Sequence, residues 1–129
     1  MTPKQRQQLV EAAIAARQRA YAPYSQFQVG AALLTDDGEI FLGCNVENVS
    51  YGLTICAERV AVGTAVAAGR QSFQAIAIAS SNGCTPCGAC RQVLVEFRPD
   101  LPILLVNVES GGAVVKTSLA KLLPGQFDF

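Results

Sequence analysis

The feature that most constrains the fold of this sequence is the alternation of short apolar runs with segments where alanine and other apolar residues recur at helical spacing. The apolar runs predict strands at 27–35, 39–46, 73–79, 103–108 and 113–117, the first two joined as a hairpin by an Asp-Asp-Gly turn. The predicted helices run from Thr2-Pro3 to near Pro23 and over 54–68, 87–97 and 118–123. Helices interleaved with apolar strands predict an α/β fold: a three-layer α/β/α sandwich with a mixed five-stranded sheet.

Length and composition predict a single domain over residues 1–129. Half of the residues are hydrophobic and 16% are charged, which is enough apolar surface for a core and for an interface between subunits. Lys plus Arg equals Asp plus Glu, at ten each, so we expect no nucleic-acid partner. The apolar runs are too short to span a membrane, and the first residues lack an apolar signal core, so we expect no membrane partner and a cytoplasmic location.

The choice of reactive side chains is narrow, because the sequence contains no histidine and five cysteines. Without histidine there is no Ser-His or Cys-His nucleophile pair and no imidazole to bind a metal. In a reducing compartment, an odd number of cysteines favours metal ligands, catalytic groups or small core residues over disulfides.

The strongest motif is Pro-Cys-Gly-Ala-Cys-Arg at 86–91, at the start of a predicted helix. Cys87 and Cys90 are three residues apart, so their side chains share one helix face and can share a metal ion. Unpaired N–H groups and the positive dipole end of the first turn favour thiolates over thiols. Taken alone, the pair is also compatible with a thiol redox couple or a structural zinc knuckle.

A second motif, Cys56-Ala57-Glu58, lies at the start of the predicted helix over 54–68. Cys56 alone is typical of a small core residue, but Glu58 needs a partner if it is buried in so apolar a helix. Together the two motifs supply three thiolates and a carboxylate, and three protein ligands leave the open fourth position of a catalytic zinc. Cys56 and Glu58 are ~200° apart around a helix, so we expect the metal beyond the helix end, near its axis.

Three thiolates give such a zinc site a net negative charge, which makes a bound water a poor acid unless positive groups lie nearby. Arg59 and Arg91 are placed by sequence to offset this charge, together with the helix dipoles. The alternative for both arginines is solvation at the surface. Of the remaining cysteines, Cys44 is expected to face the core, and Cys84 is left out of the ligand set because it lies beyond Pro86 in a loop.

Asn45 and Glu47 are two residues apart at the end of a predicted strand, so their side chains point to the same side. A carboxylate accepts from a hydroxyl and an amide can accept or donate, so these residue types suit a sugar. Polar capping of a loop is the alternative interpretation.

Cys56-Ala57-Glu58 and the 86–91 motif resemble the two zinc motifs of the cytidine deaminases. The segments 21–25, 27–33, 43–48 and 122–127 resemble the small homotetrameric form of that family, so the similarity covers nearly the whole chain. The resemblance implies zinc-dependent hydrolysis of cytidine and deoxycytidine to uridine and deoxyuridine with release of ammonia, in pyrimidine salvage. It also implies a cytidine deaminase-like fold and a homotetramer with shared active sites and one zinc per subunit.

The resemblance further implies a role for each site residue. Cys56, Cys87 and Cys90 hold a zinc ion that activates water, and Glu58 takes the proton, so that hydroxide attacks C4 of the cytosine ring. Glu58 then delivers protons to N3 and to the leaving amine. The implied substrate contacts are the backbone N–H of Ala57 to the pyrimidine carbonyl, Phe27 against the ring, Asn45 and Glu47 to the ribose 3′-hydroxyl, and Tyr51 and Phe127 reaching a neighbouring subunit's site. A plain core aromatic is the alternative for Phe27.

Three rival classes of protein share part of this pattern. A blasticidin-type deaminase has the same two zinc motifs, but the segment 44–48 and the Pro-Gly-Gln-Phe tail favour a nucleoside enzyme. A deaminase that edits RNA or DNA needs a groove for flanking nucleotides, and this chain has no basic patch to form one. A structural zinc or thiol-redox protein is the third, and it predicts that Glu58 is dispensable.

Overall fold

The computed structural model describes residues 1–128 and places the five strands of this part of the chain in one sheet. The strands are β1 (Gly30–Thr35), β2 (Ile40–Cys44), β3 (Phe73–Ser80), β4 (Pro102–Asn107) and β5 (Ala113–Ser118). Their order across the sheet is β2-β1-β3-β4-β5. The pair β3 and β4 is parallel and the other neighbours are antiparallel, so the mixed five-stranded sheet of the sequence prediction is confirmed.

Helices cover both faces of this sheet. They are α1 (Pro3–Arg17), α2 (Ala57–Ala67), α3 (Gly88–Val95) and α4 (Leu119–Leu122). Side chains of α1 pack with one set of alternating strand residues, and side chains of α2, α3 and α4 pack with the other set. The result is the predicted three-layer α/β/α sandwich, in which every residue of β1 is buried. None of the helices in residues 1–128 is both long and apolar enough to cross a membrane.

The first two helices are shorter than their sequence patterns predict. The N-terminus of α1 is as expected, with a capping box between Thr2 and Gln5, but α1 ends at Arg17 instead of near Pro23. The chain leaves the helix because the backbone of Tyr21 pairs with the segment after β2. Similarly, α2 begins at Ala57 because Ile55 pairs with Val46 through two backbone hydrogen bonds of 2.9 Å. Tertiary pairing overrides local helix propensity in both cases.

Two glycines allow helices to lie directly on the sheet. A Cβ at Gly30 would be 2.1 Å from the carbonyl oxygen of Ala13 in α1. A Cβ at Gly43 would be 2.2 Å from the carbonyl oxygen of Ala57, the first residue of α2. The close approach at Gly43 therefore fixes the N-terminus of α2 against the end of β2.

The strand register brings three loops to one edge of the sheet. Gly30 at the start of β1 pairs with Cys44 at the end of β2 and with Ala79 near the end of β3. The segments that precede β1, follow β2 and follow β3 therefore meet at this edge. They contain most of the candidate site residues of the sequence analysis.

Candidate active site

Three cysteine sulfurs meet where α2 and α3 begin. Cys56 is the N-cap of α2, Cys87 is the N-cap of α3, and Cys90 lies in the first turn of α3. Their sulfur atoms all lie within 4.8 Å of one another, and the Cys56 and Cys87 sulfurs are 3.9 Å apart. Tetrahedral zinc with Zn–S bonds of about 2.3 Å separates two sulfurs by roughly 3.8 Å. The thiols therefore fit one zinc ion per chain, and as a group of three they leave its fourth position open.

The thiols differ in acidity because they interact with one another. Hydrogen bonding from Cys90, and further bonds from Arg59 and Cys87, lower the pKa of Cys56 to about 5. The same contact with Cys56, together with burial and the negative charges of Glu58 and Cys56, raises the pKa of Cys90. Cys56 therefore becomes a thiolate before Cys90, and a metal must displace the proton of Cys90 to bind both sulfurs.

Glu58 lies one residue after the start of α2 and is almost fully buried, at 5% exposure. Burial is the main cause that raises the pKa of this carboxyl group, and the negative charge on Cys56 adds to it. A carboxyl group whose pKa is raised holds a proton more readily once it has accepted one, which suits general acid–base catalysis. Cys56 and Glu58 face the same cavity from the tip of α2, in agreement with the expected position of the metal beyond the helix end.

This cavity has a volume of about 270 Å³ and lies at the sheet edge where the three loops meet. That volume is near the lower end of the range for small-molecule sites, roughly 300 Å³. Its wall is formed by Cys56, Cys87, Glu58, the predicted substrate residues Phe27, Asn45, Glu47 and Ala57, and also Ser25, Val29, Thr54, Ile78, Cys84 and Thr85. The structure therefore brings four of the six predicted substrate residues to the zinc ligands.

Asn45 and Glu47 line the cavity and also hold the loop before β1. The amide of Asn45 accepts from the N–H of Val29 at 2.9 Å and donates to the carbonyl of Phe27 at 2.8 Å. Because of these bonds, residues 27–29 do not join β1. The strand begins at Gly30, whereas the sequence pattern predicted a start at residue 27. Glu47 accepts from the N–H groups of Tyr24 and Ser25 and from the Ser25 hydroxyl. Both residues therefore hold the loop, as the alternative interpretation expected, and also line the cavity.

The two predicted charge-tuning arginines have different surroundings. Nη2 of Arg59 donates to the Cys56 sulfur at 3.3 Å, and hydrogen bonding to Cys56 and Cys90 raises the pKa of this guanidinium. Arg91 instead donates to the carbonyl oxygens of Pro86 and Leu122 and to the Thr85 hydroxyl. Within residues 1–128, Arg59 therefore contacts a thiolate directly, whereas Arg91 fastens the loop before α3 to the end of α4.

Tyr51 and Phe127 lie outside the wall of this cavity and are highly exposed, at 76% and 71%. Tyr51 borders an adjoining hollow of about 380 Å³, where its ring meets the edge of Tyr24 at a centroid distance of 6.2 Å. Within residues 1–128, neither side chain lines the cavity that holds Cys56 and Glu58.

The remaining two cysteines are placed differently from each other. Cys44 is only partly buried, with its sulfur 3.6 Å from the carbonyl oxygen of Arg19, so the prediction that it faces the core is wrong. It ends the edge strand β2, where one side of the strand is open. Cys84 is exposed in the cavity wall but does not belong to the group of three sulfurs, which agrees with its omission from the ligand set.

Ser25 lines the cavity and makes several hydrogen bonds there, but no role was predicted for it from the sequence. Its hydroxyl accepts from the N–H of Phe27 at 3.0 Å, a serine turn spanning two residues. The position of Ser25, two residues before Phe27, could have indicated this turn from the sequence. The partner on the other side, Glu47, is 22 residues away and gives no local signal.

An α/β/α sandwich that groups three thiols at two helix ends, beside a buried carboxyl group and a small cavity, has the architecture of a zinc-dependent hydrolytic enzyme. The sequence model of the cytidine and deoxycytidylate deaminase zinc-binding region matches residues 3–105. The chain belongs to this family of deaminases.

Individual relatives agree with this assignment. A cytidine deaminase from Sporosarcina psychrophila is 52% identical over 115 residues, which cover 87% of this chain and 83% of that protein. The crystal structure of cytidine deaminase from Burkholderia pseudomallei superposes with a TM-score of 0.90 at 52% identity, over 98% of this chain and 100% of that chain. A blasticidin-S deaminase from Bacillus cereus is more distant, with 33% identity over 110 residues, 78% of this chain and 76% of that protein.

Proposed function

We propose that this protein hydrolyses cytidine and deoxycytidine to uridine and deoxyuridine and releases ammonia, as a step of pyrimidine salvage in the cytoplasm. The observation that carries the proposal is the buried carboxyl group of Glu58, which lines the same small cavity as Cys56 and Cys87, two of the three grouped cysteines. Relatives about half identical over most of the chain are cytidine deaminases, which favours this substrate over others with the same reacting group.

In the proposed reaction, Cys56, Cys87 and Cys90 hold one zinc ion. When bound, zinc lowers the pKa of a water molecule so that it can act as a nucleophile near neutral pH. Glu58 accepts a proton from the nucleophile and delivers it to N3; it then accepts the proton of the hydroxyl group added at C4 and delivers it to the departing amine. Its raised pKa suits both directions of transfer, because the carboxyl group must be ionised before the attack and protonated after it.

The cavity wall supplies contacts for the rest of a nucleoside. Ala57 is the first residue of α2, so its N–H is not bonded within the helix and is available to the pyrimidine carbonyl. Phe27 would provide an aromatic surface for the ring, and Asn45 and Glu47, which also line the cavity, would hold the ribose 3′-hydroxyl. Balanced acidic and basic residues in the chain provide no basic groove for a polynucleotide, so the substrate is a free nucleoside.

We also propose that the active enzyme is a homotetramer with active sites shared between subunits. Large apolar side chains are exposed in the segment that leads from β2 to α2, namely Val46, Val49, Tyr51, Leu53 and Ile55. Exposed apolar residues this concentrated are typical of a protein–protein interface. Contact between copies through this segment would bring Tyr51 of one subunit to the active site of another, and the exposed Phe127 is proposed to reach the same site.

A direct spectrophotometric assay tests the substrate. Loss of cytidine absorbance should require zinc, stop after chelation and resume when zinc is restored. The same enzyme is then given deoxycytidine and blasticidin S at matched concentrations. Turnover of blasticidin S without turnover of either nucleoside would assign the chain to the blasticidin-type branch and refute the proposal.

A further inference from the structure

The hydroxyl group of Ser25 connects two residues of the cavity wall. It donates to Oε2 of Glu47 and accepts from the N–H of Phe27 at 3.0 Å. The backbone N–H of Ser25 also donates, to Oε1 of Glu47 at 3.1 Å. The Ser25 hydroxyl therefore has a fixed direction: it takes one hydrogen bond from the ring-bearing residue and gives one to the carboxylate.

The hydrogen bonds to Glu47 show which of its oxygens remains available. A carboxylate has about four lone-pair sites, two on each oxygen. Oε1 accepts from the N–H groups of Tyr24 and Ser25 at 2.9 and 3.1 Å, so both of its sites are used. Oε2 accepts from the Ser25 hydroxyl alone among the described residues. One site on Oε2 is therefore left for a donor in the cavity.

The loop that carries Ser25 is held in place by these same bonds. Gln26 has φ of 57°, a left-handed conformation that is uncommon for a residue other than glycine. The bonds from Tyr24 and Ser25 to Glu47 precede this residue, and the bond from Phe27 to Ser25 spans it. Ser25 thus couples the position of the carboxylate to the position of Phe27.

The carboxylate is also kept in the form that can accept. Hydrogen bonding from the Ser25 side chain is the main cause that lowers the pKa of Glu47. An ionised carboxylate accepts and does not donate, so its remaining site selects a hydroxyl group over an ether or a phosphate oxygen, which carry no hydrogen to donate.

We propose that Ser25 is a positioning residue which, by fixing Oε2 of Glu47, makes the enzyme selective for nucleosides with a free 3′-hydroxyl. This inference rests on the proposed function, in which Glu47 binds the ribose. Ser25 acts through Glu47, because its single hydroxyl hydrogen is already donated to that carboxylate. Nucleosides that lack the 3′-hydroxyl gain nothing from the arrangement, and those with a 3′-phosphate bring negative charge against it.

The test compares cytidine with 3′-deoxycytidine as substrates of the zinc-loaded enzyme. The proteins are the wild type, Ser25→Ala, Ser25→Thr, which retains the hydroxyl, and Thr2→Ala, which removes a hydroxyl of the same capping kind at the far end of α1. For the wild type, kcat/KM should favour cytidine by about tenfold to a hundredfold, as for one hydrogen bond to a charged group.

Ser25→Ala should raise KM for cytidine about tenfold with little change in kcat. It should leave KM for 3′-deoxycytidine nearly unchanged, because that substrate lacks the 3′-hydroxyl from which Oε2 would accept. Ser25→Thr should restore selectivity, and Thr2→Ala should match the wild type. Ser25→Gly provides a second variant without the hydroxyl if Ser25→Ala does not fold.

The two proposals fail in different ways. If the wild type does not distinguish the two substrates, the ribose contact of Glu47 is wrong. If the wild type distinguishes them but Ser25→Ala loses the same factor on both, Ser25 only supports the fold of its loop, and the positioning role is refuted.

Discussion

Nη2 of Arg59 donates to the sulfur of Cys56 across 3.3 Å, while Nε of the same guanidinium is buried and has no hydrogen-bond partner within residues 1–128. A buried donor without a partner has a free-energy cost, so the hydrogen bond from Nη2 to the sulfur, and not full pairing of the guanidinium, accounts for the position of Arg59. The guanidinium thus brings one positive charge to a metal site whose three ligands are negative.

Replacing Arg59 with Gln should therefore raise the pKa of the groups that lose protons during turnover. The acidic limb of the kcat against pH profile should move up by about one unit, and kcat at neutral pH should fall about tenfold. Zinc content is measured on the same samples, so that loss of metal is separated from loss of activation. Arg91→Gln is the matched control, because Arg91 donates to loop oxygens: an equal shift of the acidic limb in both variants would contradict the assignment.

The buried carboxyl group of Glu58 gives the second prediction. Glu58→Gln keeps the size and polarity of the side chain but cannot exchange a proton, so kcat should fall about a hundredfold to ten-thousandfold while zinc is retained. Glu109→Gln, at an exposed carboxylate, should change neither quantity. A Glu58→Gln enzyme with near wild-type turnover would favour a structural zinc site and end the proton-transfer role.

The hairpin turn between β1 and β2 gives a prediction for stability against pH. Asp37 accepts hydrogen bonds from the Thr35 hydroxyl and from Nε of Arg70, and these lower the pKa of Asp37 below its ordinary value of 3.8. A carboxyl group with a lowered folded-state pKa stabilises the fold above its unfolded pKa and loses that contribution as the pH falls through the folded one.

Asp37→Asn should consequently have a lower Tm than the wild type at neutral pH, and the difference should shrink below about pH 3.8. The measurement is a series of thermal melts from pH 7 to pH 2, with Asp36→Asn as the control for removing one acidic residue from the same turn. A difference in Tm that stays constant over the whole series would mean that packing, and not ionisation, explains the effect.

The contact between β2 and α2 can be tested with two glycines. In Gly43→Ala the new Cβ would be 2.2 Å from the Ala57 carbonyl oxygen, so the N-terminus of α2 must move, at a cost of about 1–3 kcal/mol. Zinc affinity should fall with stability, because Cys56 caps that helix end. Gly63→Ala, within α2 and with nothing within 4 Å of its Cβ, should instead stabilise the protein by about 0.5–1 kcal/mol. Tighter zinc binding by Gly43→Ala would contradict this account.

The sequence predicted the layers of the fold and the proximity of Cys87 and Cys90 because both depend on local patterns. The apolar runs specify buried strands directly, and Cys87 and Cys90 share a helix turn, so their proximity follows from three-residue spacing. Cys56 could be joined to them only by chemistry, since 31 residues separate it from Cys87.

The features that were not predicted depend on contacts between distant segments. α2 begins three residues later than its composition suggests, because Ile55 pairs with Val46. Arg91 was expected at the metal, but its guanidinium binds the carbonyl of Leu122, which only the folded chain brings near. The bond between Ser25 and Glu47 is likewise a product of the strand register at the start of β1.

If active sites are shared between subunits, two inactive variants should restore activity to each other when they are mixed. If Tyr51 completes the site of a neighbouring subunit, then Tyr51→Ala and Glu58→Gln damage different halves of each site. Each variant alone should form an assembly with low activity. Mixed assemblies should contain some sites that combine an intact Glu58 with an intact Tyr51, about a quarter of the total if subunits pair at random.

The experiment refolds the two variants together, each with a different affinity tag, and isolates the mixed assemblies by sequential purification. Activity per zinc should exceed that of either variant alone, and sedimentation should show a tetramer in all samples. The control mixes Glu58→Gln with Cys56→Ala, which damage the same half of the site and should not complement. If the mixture of Tyr51→Ala and Glu58→Gln has only the average activity of its components, the sites are not shared through Tyr51.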